Sequence, residues 1–370
     1  MKIIVIKTNL KSGLGIIERA VGENTNLPIL KNILIAAVQN KIRLVATNLE
    51  IAITAHISGK VTEDGSITLP AALFLNIVNN LQSERLNLET QGNILAIVTD
   101  NYSATLQGAP PEEFPIIPAV QNTKEHLEIK GALLKETLTQ TLISTQLSAI
   151  RTELNTILID FNLDALKWAG TDSFRLSEKT INKNQLTSTA SDGFKALLPL
   201  KTAQELLRII RDEETITICR DQSQILFTTP SFELISRLAS GNFPNYQAIV
   251  PQKFDTEVIV SRAELMHAVK LVGVMSDATH EVKIKLSPQK KTIELHSLNQ
   301  SLGENTYTLP AKIKGNAFEI GFNWRYLADG LRALPGEEMF LGLNENNKPG
   351  LLKSINDASY FYVLMPILKA

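Results

Sequence analysis

The chain contains 370 residues, of which 44% are hydrophobic and 20% are charged, a composition typical of globular domains and not of disordered chains. This length predicts two or three domains. The formal net charge of −1 excludes a chain that is basic throughout, so any contact with nucleic acid must come from local segregation of charge. The single cysteine, Cys219, excludes an internal disulfide and fits a reducing compartment.

The first residues of the chain alternate as in a strand and soon include charges, which does not fit a secretory signal. The most apolar later stretch, 27–38, is interrupted by Lys31 and Asn32. No segment approaches the roughly 18 apolar residues that a helix needs to cross a bilayer. We therefore expect a cytoplasmic protein without membrane contact.

Helix and strand patterns recur in the same order three times along the chain. Each repeat begins with a helix, continues with strands, and has a second helix before its last strands. The six predicted helices cover residues 10–21, 72–81, 133–142, 200–211, 262–274 and 324–334. The clearest predicted strands cover residues 156–161, 167–169, 282–286 and 292–298.

The repeat length, about 125 residues, is far above that of solenoid units, so the pattern predicts three similar domains. Polar, proline-flanked seams predict their bounds as 1–124, 125–253 and 254–370. The mixture of helices and alternating strands predicts an α+β class, with two helices packed on antiparallel sheet in each domain. The alternative is a chance similarity between unrelated α+β domains. The shared order of elements and the recurring Leu-Pro and Phe-Pro pairs disfavour it.

The second helix of each repeat combines an apolar stripe with a polar face. The predicted buried stripes are Leu200, Ala203, Leu207 and Ile210 in the second repeat, and Leu327, Leu331 and Leu334 in the third. The outer faces carry Lys201, Arg208 and Arg211 in the second repeat, and Arg325 and Arg332 in the third. A solvated helix face explains each basic residue taken singly. Together they predict one positive surface that contacts phosphates without reading sequence.

Known catalytic and metal-binding motifs are missing from the sequence. It has no P-loop and no G-x-S-x-G elbow, and its five histidines are scattered. Asp100, Asp160 and Asp172 offer carboxylates for a two-metal site, but each falls at a strand end or a turn, where a structural role is favoured. We therefore predict a non-catalytic protein that uses no cofactor and no metal.

Six stretches match one known family in order and at its spacing. They are residues 26–34, 46–50, 170–176, 241–246, 320–327 and 362–367. The chain thus resembles the bacterial sliding clamp, the beta subunit of DNA polymerase III. The resemblance implies the DNA clamp fold: a head-to-tail homodimer closes a six-domain ring around double-stranded DNA. It also implies three kinds of protein partner: the clamp loader, the catalytic subunit of the replicative polymerase, and other proteins with a clamp-binding motif.

The resemblance also implies three sets of site residues. The partner-peptide groove would be lined by Leu154, Thr171, Ser173, Phe174, Arg175, Leu176, Pro244, Ile249, Val363, Leu364, Met365, Pro366 and Ile367. The DNA-facing positions are Lys201, Asn323 and Tyr326, in addition to the arginines given by the helical pattern. The dimer seam would include Ala104, Leu106, Val274 and Met275. We expect the groove to be apolar with one cation, which suits a short motif with Gln, Leu and Phe-like anchors.

Several positions depart from the family pattern. Asn24 replaces a DNA-facing arginine, His280 a phenylalanine, Ala248 a groove arginine and Phe174 a histidine. Two other interpretations stay open. One is a clamp-like binding module that keeps the groove but does not encircle DNA. The other is an enzyme with an acid–base site that uses Asp172 and His280. For Val363, Leu364 and Ile367, an ordinary last strand in a core is the alternative to a groove.

Overall fold

The computed structural model describes residues 1–22, 26–345 and 348–368, so Asn24 lies outside the described residues. Six helices are present in this part of the chain: α1 Lys7–Ile17, α2 Ala71–Asn80, α3 Gly131–Leu142, α4 Leu200–Ile209, α5 Arg262–Gly273 and α6 Trp324–Ala333. Each of these helices is too short or too polar to cross a membrane.

The strands are short and alternate between buried and exposed residues over much of their length. In the first third of the chain they are β1 Lys2–Ile6, β2 Asn32–Val38, β3 Lys41–Thr47, β4 Ile51–Ile57, β5 Gly59–Glu63, β6 Gly65–Pro70, β7 Arg85–Gln91, β8 Ile94–Val98 and β9 Ser103–Gln107. The middle third has β10 His126–Lys130, β11 Thr156–Phe161, β12 Ala165–Thr171, β13 Arg175–Asn182, β14 Leu186–Ser188, β15 Phe194–Pro199, β16 Thr215–Arg220, β17 Gln224–Thr228 and β18 Phe232–Arg237. The last third has β19 Thr256–Ser261, β20 Glu281–Ser287, β21 Thr292–Asn299, β22 Gly303–Pro310, β23 Lys312–Gly315, β24 Glu319–Asn323, β25 Glu338–Leu343, β26 Gly350–Ser354 and β27 Tyr360–Leu364.

The six predicted helices are confirmed, with shifted ends. The largest shift is in α1, which begins and ends earlier than predicted, because Glu18–Ala20 continues it only as a 3₁₀ turn. The predicted stripe of α6 is buried as expected, but that of α4 needs one correction. Leu206 is fully buried there and Leu207 is only half-buried.

The first compact unit comprises Met1–Leu133, Leu186–Ser191 and Glu205–Leu238. It contains a five-stranded sheet in the order β5–β1–β7–β8–β9 and a nine-stranded sheet in the order β14–β10–β16–β17–β18–β4–β3–β2–β6. Strand β18 pairs with β4 so that Ile235 lies opposite Ala52. Helix α1 packs on β4, and Gly13 allows the close approach because a Cβ at this position would overlap Ile57.

The second compact unit comprises Leu134–Gln185, Asp192–Gln204 and Ala239–Ala370. It contains a nine-stranded sheet in the order β15–β11–β12–β13–β27–β26–β25–β19–β23 and a four-stranded sheet in the order β22–β21–β20–β24. Strand β13 pairs with β27 so that Leu176 lies opposite Val363. Helices α5 and α6 pack together, and Gly273 leaves room for the indole of Trp324.

The sheets reproduce the threefold repeat of the sequence. Five-stranded blocks recur as β5–β1–β7–β8–β9, β14–β10–β16–β17–β18 and β23–β19–β25–β26–β27. Four-stranded blocks recur as β6–β2–β3–β4, β15–β11–β12–β13 and β24–β20–β21–β22. Each nine-stranded sheet is one five-stranded block joined edge to edge with one four-stranded block. The prediction of three similar α+β domains with antiparallel sheets is thereby confirmed.

Candidate partner groove and DNA-facing helices

A tight turn between β12 and β13 forms one wall of the predicted groove. The hydroxyl of Thr171 donates to the carbonyl of Arg175 (2.8 Å), and Asp172 Oδ1 accepts from the backbone N–H of Phe174 (2.9 Å) and of Arg175 (3.0 Å). Ser173 has a φ of 81°, which reverses the chain. The turn therefore projects Phe174 outward, where its side chain is 60% exposed.

The carboxyl-terminal strand lies directly beside this turn. Met365 N donates to the carbonyl of Phe174 (2.8 Å), and Ile367 N donates to that of Gly321 (2.9 Å). Met365 and Ile367 are half-buried, so each keeps part of its side chain on the surface. Of the predicted groove residues at this end, Phe174, Met365 and Ile367 therefore supply the accessible apolar surface.

Several predicted groove residues are buried in the single chain. Leu154, Thr171, Leu176, Val363, Leu364 and Pro366 have side chains that are almost inaccessible to solvent. Leu176 and Val363 belong to a core cluster with Tyr246, and Leu364 belongs to the larger core beneath α5 and α6. For Val363 and Leu364 the structure agrees with the alternative of an ordinary last strand in a core.

Arg175 does not offer the groove a free cation, which corrects the expectation from the sequence. Its side chain is 10% exposed, and its guanidinium forms ion pairs with Asp172 (2.9 Å) and with Asp329 of α6 (2.7 Å). It also lies 4.2 Å from the ring centre of Tyr326. Burial works against the charge, but Tyr362 and the two carboxylates keep the pKa of Arg175 above its ordinary value. Arg175 is thus a buried structural cation.

The loop before β11 is bonded to the turn at Ser173. Arg151 Nη1 donates to Ser173 Oγ (2.7 Å), and the side chain of Asn155 bonds to both backbone groups of Ser148 (2.7 and 2.9 Å). Leu154, next to Asn155, is held in place by this loop. The helical and strand patterns gave no signal for Arg151, because it lies in a stretch without periodicity.

The segment between β18 and β19 carries two more of the predicted groove residues, half-buried Pro244 and exposed Ile249. It is anchored by Tyr246, whose hydroxyl donates to Oε2 of Glu178 (2.6 Å). Burial raises the pKa of the Tyr246 hydroxyl, and the neighbouring carboxylate of Glu178 raises it further. Tyr246 was part of the matching stretch 241–246 but was not among the predicted groove residues.

Replacing Tyr246 with phenylalanine is expected to loosen this segment without emptying the core. The ring remains, but Glu178 loses a charge-assisted hydrogen bond, which costs about 1.5–3 kcal/mol. Glu178 keeps Lys167 (3.4 Å) and the hydroxyl of Thr180 (3.3 Å), so we expect the lower end of that range. Urea unfolding measures the loss. A Tyr307→Phe variant, in the same unit, is the control, and equal stability of the two variants would contradict the anchoring role.

The predicted DNA-facing residues of the second unit lie at α6 and at the start of α4. Asn323 is the N-cap of α6, since its side chain accepts from Arg325 N (3.0 Å). Arg325 is exposed, and Arg332 is exposed and paired with Asp329 (2.8 Å). Tyr326 is half-buried beneath Arg175, and Lys201 is exposed. Three cations therefore face solvent, whereas Asn323 and Tyr326 also have structural roles.

The other two predicted DNA-facing residues belong to the first unit. Arg208 is exposed and lies 3.6 Å from the carboxylate of Glu205, one helical turn away. Arg211 is exposed and donates to Ser12 Oγ of α1 (3.2 Å). Neither contact buries the guanidinium, so both remain accessible to a phosphate.

The predicted seam residues lie at two unpaired sheet edges. Ala104 and Leu106 belong to β9, an outer strand of the five-stranded sheet; Ala104 is half-buried and Leu106 is buried. Val274 and Met275 directly follow α5, beside β22, an outer strand of the four-stranded sheet. Val274 is 73% exposed. Leu271 and Leu302, which were not predicted, are also exposed here, and the i, i+3 spacing of Leu271 and Val274 was the available signal.

The described residues contain no group of three or more His, Cys, Asp or Glu side chains that could hold a metal ion. Both oxygens of Asp172 are occupied, one by two backbone N–H groups and the other by Arg175. His280 lies at a positive φ of 59° in the turn before β20. The structural role that the sequence favoured for Asp172 is thus confirmed.

Comparison with known proteins gives the same assignment along the whole chain. Models of the DNA polymerase III beta subunit match its N-terminal domain over residues 1–118, its central domain over 128–245 and its C-terminal domain over 247–368. The beta sliding clamp of Synechococcus elongatus is 30% identical over 374 residues, covering 99% of both chains. The sliding clamp of Bacillus subtilis (25% identity) has a TM-score of 0.94, and that of Bartonella birtlesii bound to griselimycin (28% identity) one of 0.92, with 100% of each chain covered. This chain therefore belongs to the beta sliding clamp family, the beta subunits of DNA polymerase III.

Proposed function

We propose that two copies of this chain close head to tail into a ring around duplex DNA and act as a processivity factor. The observation that carries the proposal is the strand order of the sheets. Two five-stranded blocks are joined to four-stranded blocks within the chain, through β18–β4 and β27–β13. One five-stranded block and one four-stranded block remain unjoined within the chain. In these two blocks, β9 is the strand equivalent to β18 and β27, and β22 is the strand equivalent to β4 and β13. Pairing β9 of one copy with β22 of the next completes the pattern and removes both edges.

Exposed apolar side chains beside these edges support a seam at this place. The exposed residues are Val274 and Leu271, at the end of α5 beside β22, and Leu302, which directly precedes β22 in the chain. Covering them in a partner copy would remove apolar surface from water, at about 25 cal/mol per Å². Ala104 is small, so Leu271 and Leu302 are the contacts we propose to compensate for it. The three domains of each copy would have the bounds 1–124, 125–253 and 254–370.

Sequence-independent contacts with phosphates suit the basic helices. Lys201, Arg325 and Arg332 of the second unit and Arg208 of the first are accessible cations on helices, and Arg211 is an accessible cation just after the end of α4. Arginine at such positions binds phosphate oxygens without reading base edges. We propose weak contacts of this kind inside the ring, so that enclosure holds the clamp while the contacts allow it to slide.

The apolar groove of the second unit is proposed to bind short peptide motifs of the clamp loader, the replicative polymerase and other partners. Phe174, Ile249, Met365 and Ile367 supply apolar surface, and Arg175 is neutralised by its two carboxylates. An apolar groove without a free cation would recognise apolar anchors and amide groups more than acidic ones. The chain would act in the cytoplasm, where the chromosome is replicated, and would have no catalysis of its own.

The test of enclosure uses DNA with and without ends. The protein is loaded onto nicked circular DNA with its clamp loader, the salt concentration is raised, and the circle is then cut once. Retention on circles at high salt, followed by release after the cut, is the expected result. Equal release from circles and linear DNA as salt rises would show that contacts alone hold the protein. A clamp-like module that does not encircle DNA would then be the better interpretation.

The phosphate contacts can be tested through the salt dependence of DNA binding. Replacing both Arg325 and Arg332 with alanine is expected to lower the slope of log Kobs against log salt by about 0.9 for each lost phosphate contact. Fluorescence anisotropy with a short linear duplex at several salt concentrations measures that slope. Lys312→Ala removes an exposed cation from a strand and is the matched control. An unchanged slope in the double arginine variant would place the DNA elsewhere.

Peptide preference in the groove can be tested at Phe174. Replacing Phe174 with histidine, the residue of the family pattern, is expected to weaken binding of a Gln-Leu-Phe motif peptide about threefold to tenfold. The reason is that part of the exposed aromatic surface becomes polar, which costs about 1 kcal/mol. Isothermal titration calorimetry measures the affinity. Equal affinities of the two proteins would show that position 174 does not contact the peptide.

A further inference from the structure

A recess in the first unit has the same backbone architecture as the wall of the partner groove. In the turn between β3 and β4, Thr47 Oγ1 donates to Ile51 O (2.9 Å), and Asn48 Oδ1 accepts from Glu50 N (3.0 Å) and Ile51 N (2.9 Å). Leu49 has a φ of 76°. The turn between β12 and β13 has the same hydrogen bonds, and its third residue, Ser173, has a positive φ as Leu49 does. The two turns are therefore structural equivalents within one chain.

The strands beside the two turns are also equivalent. Ile235 of β18 lies opposite Ala52, as Val363 lies opposite Leu176 in the second unit. The next backbone bond runs from Arg237 N to the carbonyl of Glu50 (2.9 Å), as Met365 N bonds to Phe174. Arg237 thus occupies the position that Met365 has in the partner groove.

A proline-containing segment, 114–120, crosses this part of the first unit as a strap. Phe114 and Val120 are buried and fix its ends, while Ile116 between them is 95% exposed. Two open cavities, of about 560 and 390 Å³, lie beside and beneath the strap and share Ala52, Ile235 and the strap residues as lining. In the second unit the corresponding space is filled by the ring of Tyr246. This ring packs against that of Phe243, with ring centres 5.9 Å apart. The recess in the first unit therefore has room that the protein does not fill.

The charges around the recess indicate what would enter it. Arg237 is exposed, and it forms no salt bridge with any residue in the described part of the chain; Glu50 lies on the same rim. At the far end, Arg43 is exposed and Glu233 is bonded to His56 (3.3 Å). Arg43 also interacts with Glu233, whose pKa it helps to lower. Arg237 is therefore the rim cation that lacks a carboxylate partner among the described residues. An anionic group beside apolar surface is the complement of this rim.

We propose that this recess is a second peptide-binding site, for a short extended segment in which an acidic residue precedes large apolar ones. The acidic side chain would pair with Arg237, and the apolar ones would enter the two cavities along the strap, whose lining includes Ala52 and Ile235. The proposal rests on the proposed function in that the partner groove provides the structural precedent. It differs in chemistry, since that groove has an apolar Met365 where the recess has a cation.

Isoleucine methyl NMR of the full-length protein distinguishes the two sites, because each contains its own reporters. The probe is the capped peptide acetyl-Asp-Leu-Ile-Phe-amide, with acetyl-Asn-Leu-Ile-Phe-amide as the uncharged comparison. We expect the acidic peptide to shift the methyl signals of Ile117 and Ile235, which line the recess. A Gln-Leu-Phe motif peptide is expected to shift those of Ile249 and Ile367 in the partner groove.

Two charge variants on the rim give opposite expected results. Arg237→Gln is expected to weaken the acidic peptide at least fivefold, to the level of the uncharged peptide. Glu50→Gln is expected to strengthen it, by about twofold, because a like charge is removed from the same rim. Both residues are exposed, so both variants should fold, and an unchanged spectrum in the absence of peptide verifies this.

The proposal is overturned if the acidic peptide at millimolar concentration leaves Ile117 and Ile235 unshifted, or if Arg237→Gln binds it as well as the original chain does. Shifts confined to Ile249 and Ile367 would assign all peptide binding to the partner groove. Failure of the proposed function gives a different result. The Gln-Leu-Phe peptide would then leave the methyl signals of Ile249 and Ile367 unshifted, whatever happens in the recess.

Discussion

Replacing Val274 with glutamate is expected to convert the ring into monomers at micromolar chain concentration. Val274 is 73% exposed in the single chain and follows α5, which lies against β22 through the bond from Asn305 Nδ2 to Leu271 O (3.1 Å). A head-to-tail ring of two copies has two identical seams, so one substitution would bury two unpaired carboxylates. Each costs several kcal/mol, which raises the dimer Kd by at least about a thousandfold.

Sedimentation velocity measures the oligomeric state, and retention on nicked circular DNA measures closure. The control is Leu163→Glu, which places the same charge on an exposed leucine at the turn between β11 and β12. We expect the control to remain dimeric and to stay on circles. A Val274→Glu protein that remains dimeric would move the seam away from β22. A wild-type chain that is already monomeric would favour a clamp-like module that does not encircle DNA.

The helices and the family could be predicted because their signals are local. The apolar stripe of α6 repeats within one element, and Leu-Pro pairs mark where α2 and α4 begin. The stripe of α4 shows what a helical period alone leaves open. Leu206 and Leu207 both fit a helical period that starts at Ala203, so only the packed structure selects Leu206 as the buried one.

The details of the groove could not be predicted because its contacts join distant parts of the chain. Arg175 was predicted to be the cation of the groove, yet its ion pair with Asp329 bridges 154 positions of sequence. Similarly, Tyr246 acquires its role only through Glu178, which lies 68 positions earlier on β13. The edge-to-edge joins β18–β4 and β13–β27 are also non-local, and they decide which strands remain unpaired. A periodic pattern in the sequence carries no information on such pairs.

Replacing Arg175 with isoleucine is expected to destabilise the second unit by about 3–5 kcal/mol, because it leaves buried Asp172 without its cation. Asp172 has a side chain that is 4% exposed, whereas Asp329 is more exposed and keeps Arg332. Urea unfolding followed by tryptophan fluorescence measures the loss. The chain has two tryptophans, Trp168 and Trp324, and both belong to the second unit.

The first unit supplies the matched control for this prediction. Its equivalent turn uses Asn48, with Ile51 at the position of Arg175, and makes the same backbone hydrogen bonds without any ion pair. Adding Asp172→Asn to Arg175→Ile is therefore expected to restore more than half of the lost stability, since no uncompensated carboxylate remains. If the double variant is as unstable as the single one, charge pairing is not the main role of Arg175. Its packing on the ring of Tyr326, at 4.2 Å, would then account for the loss.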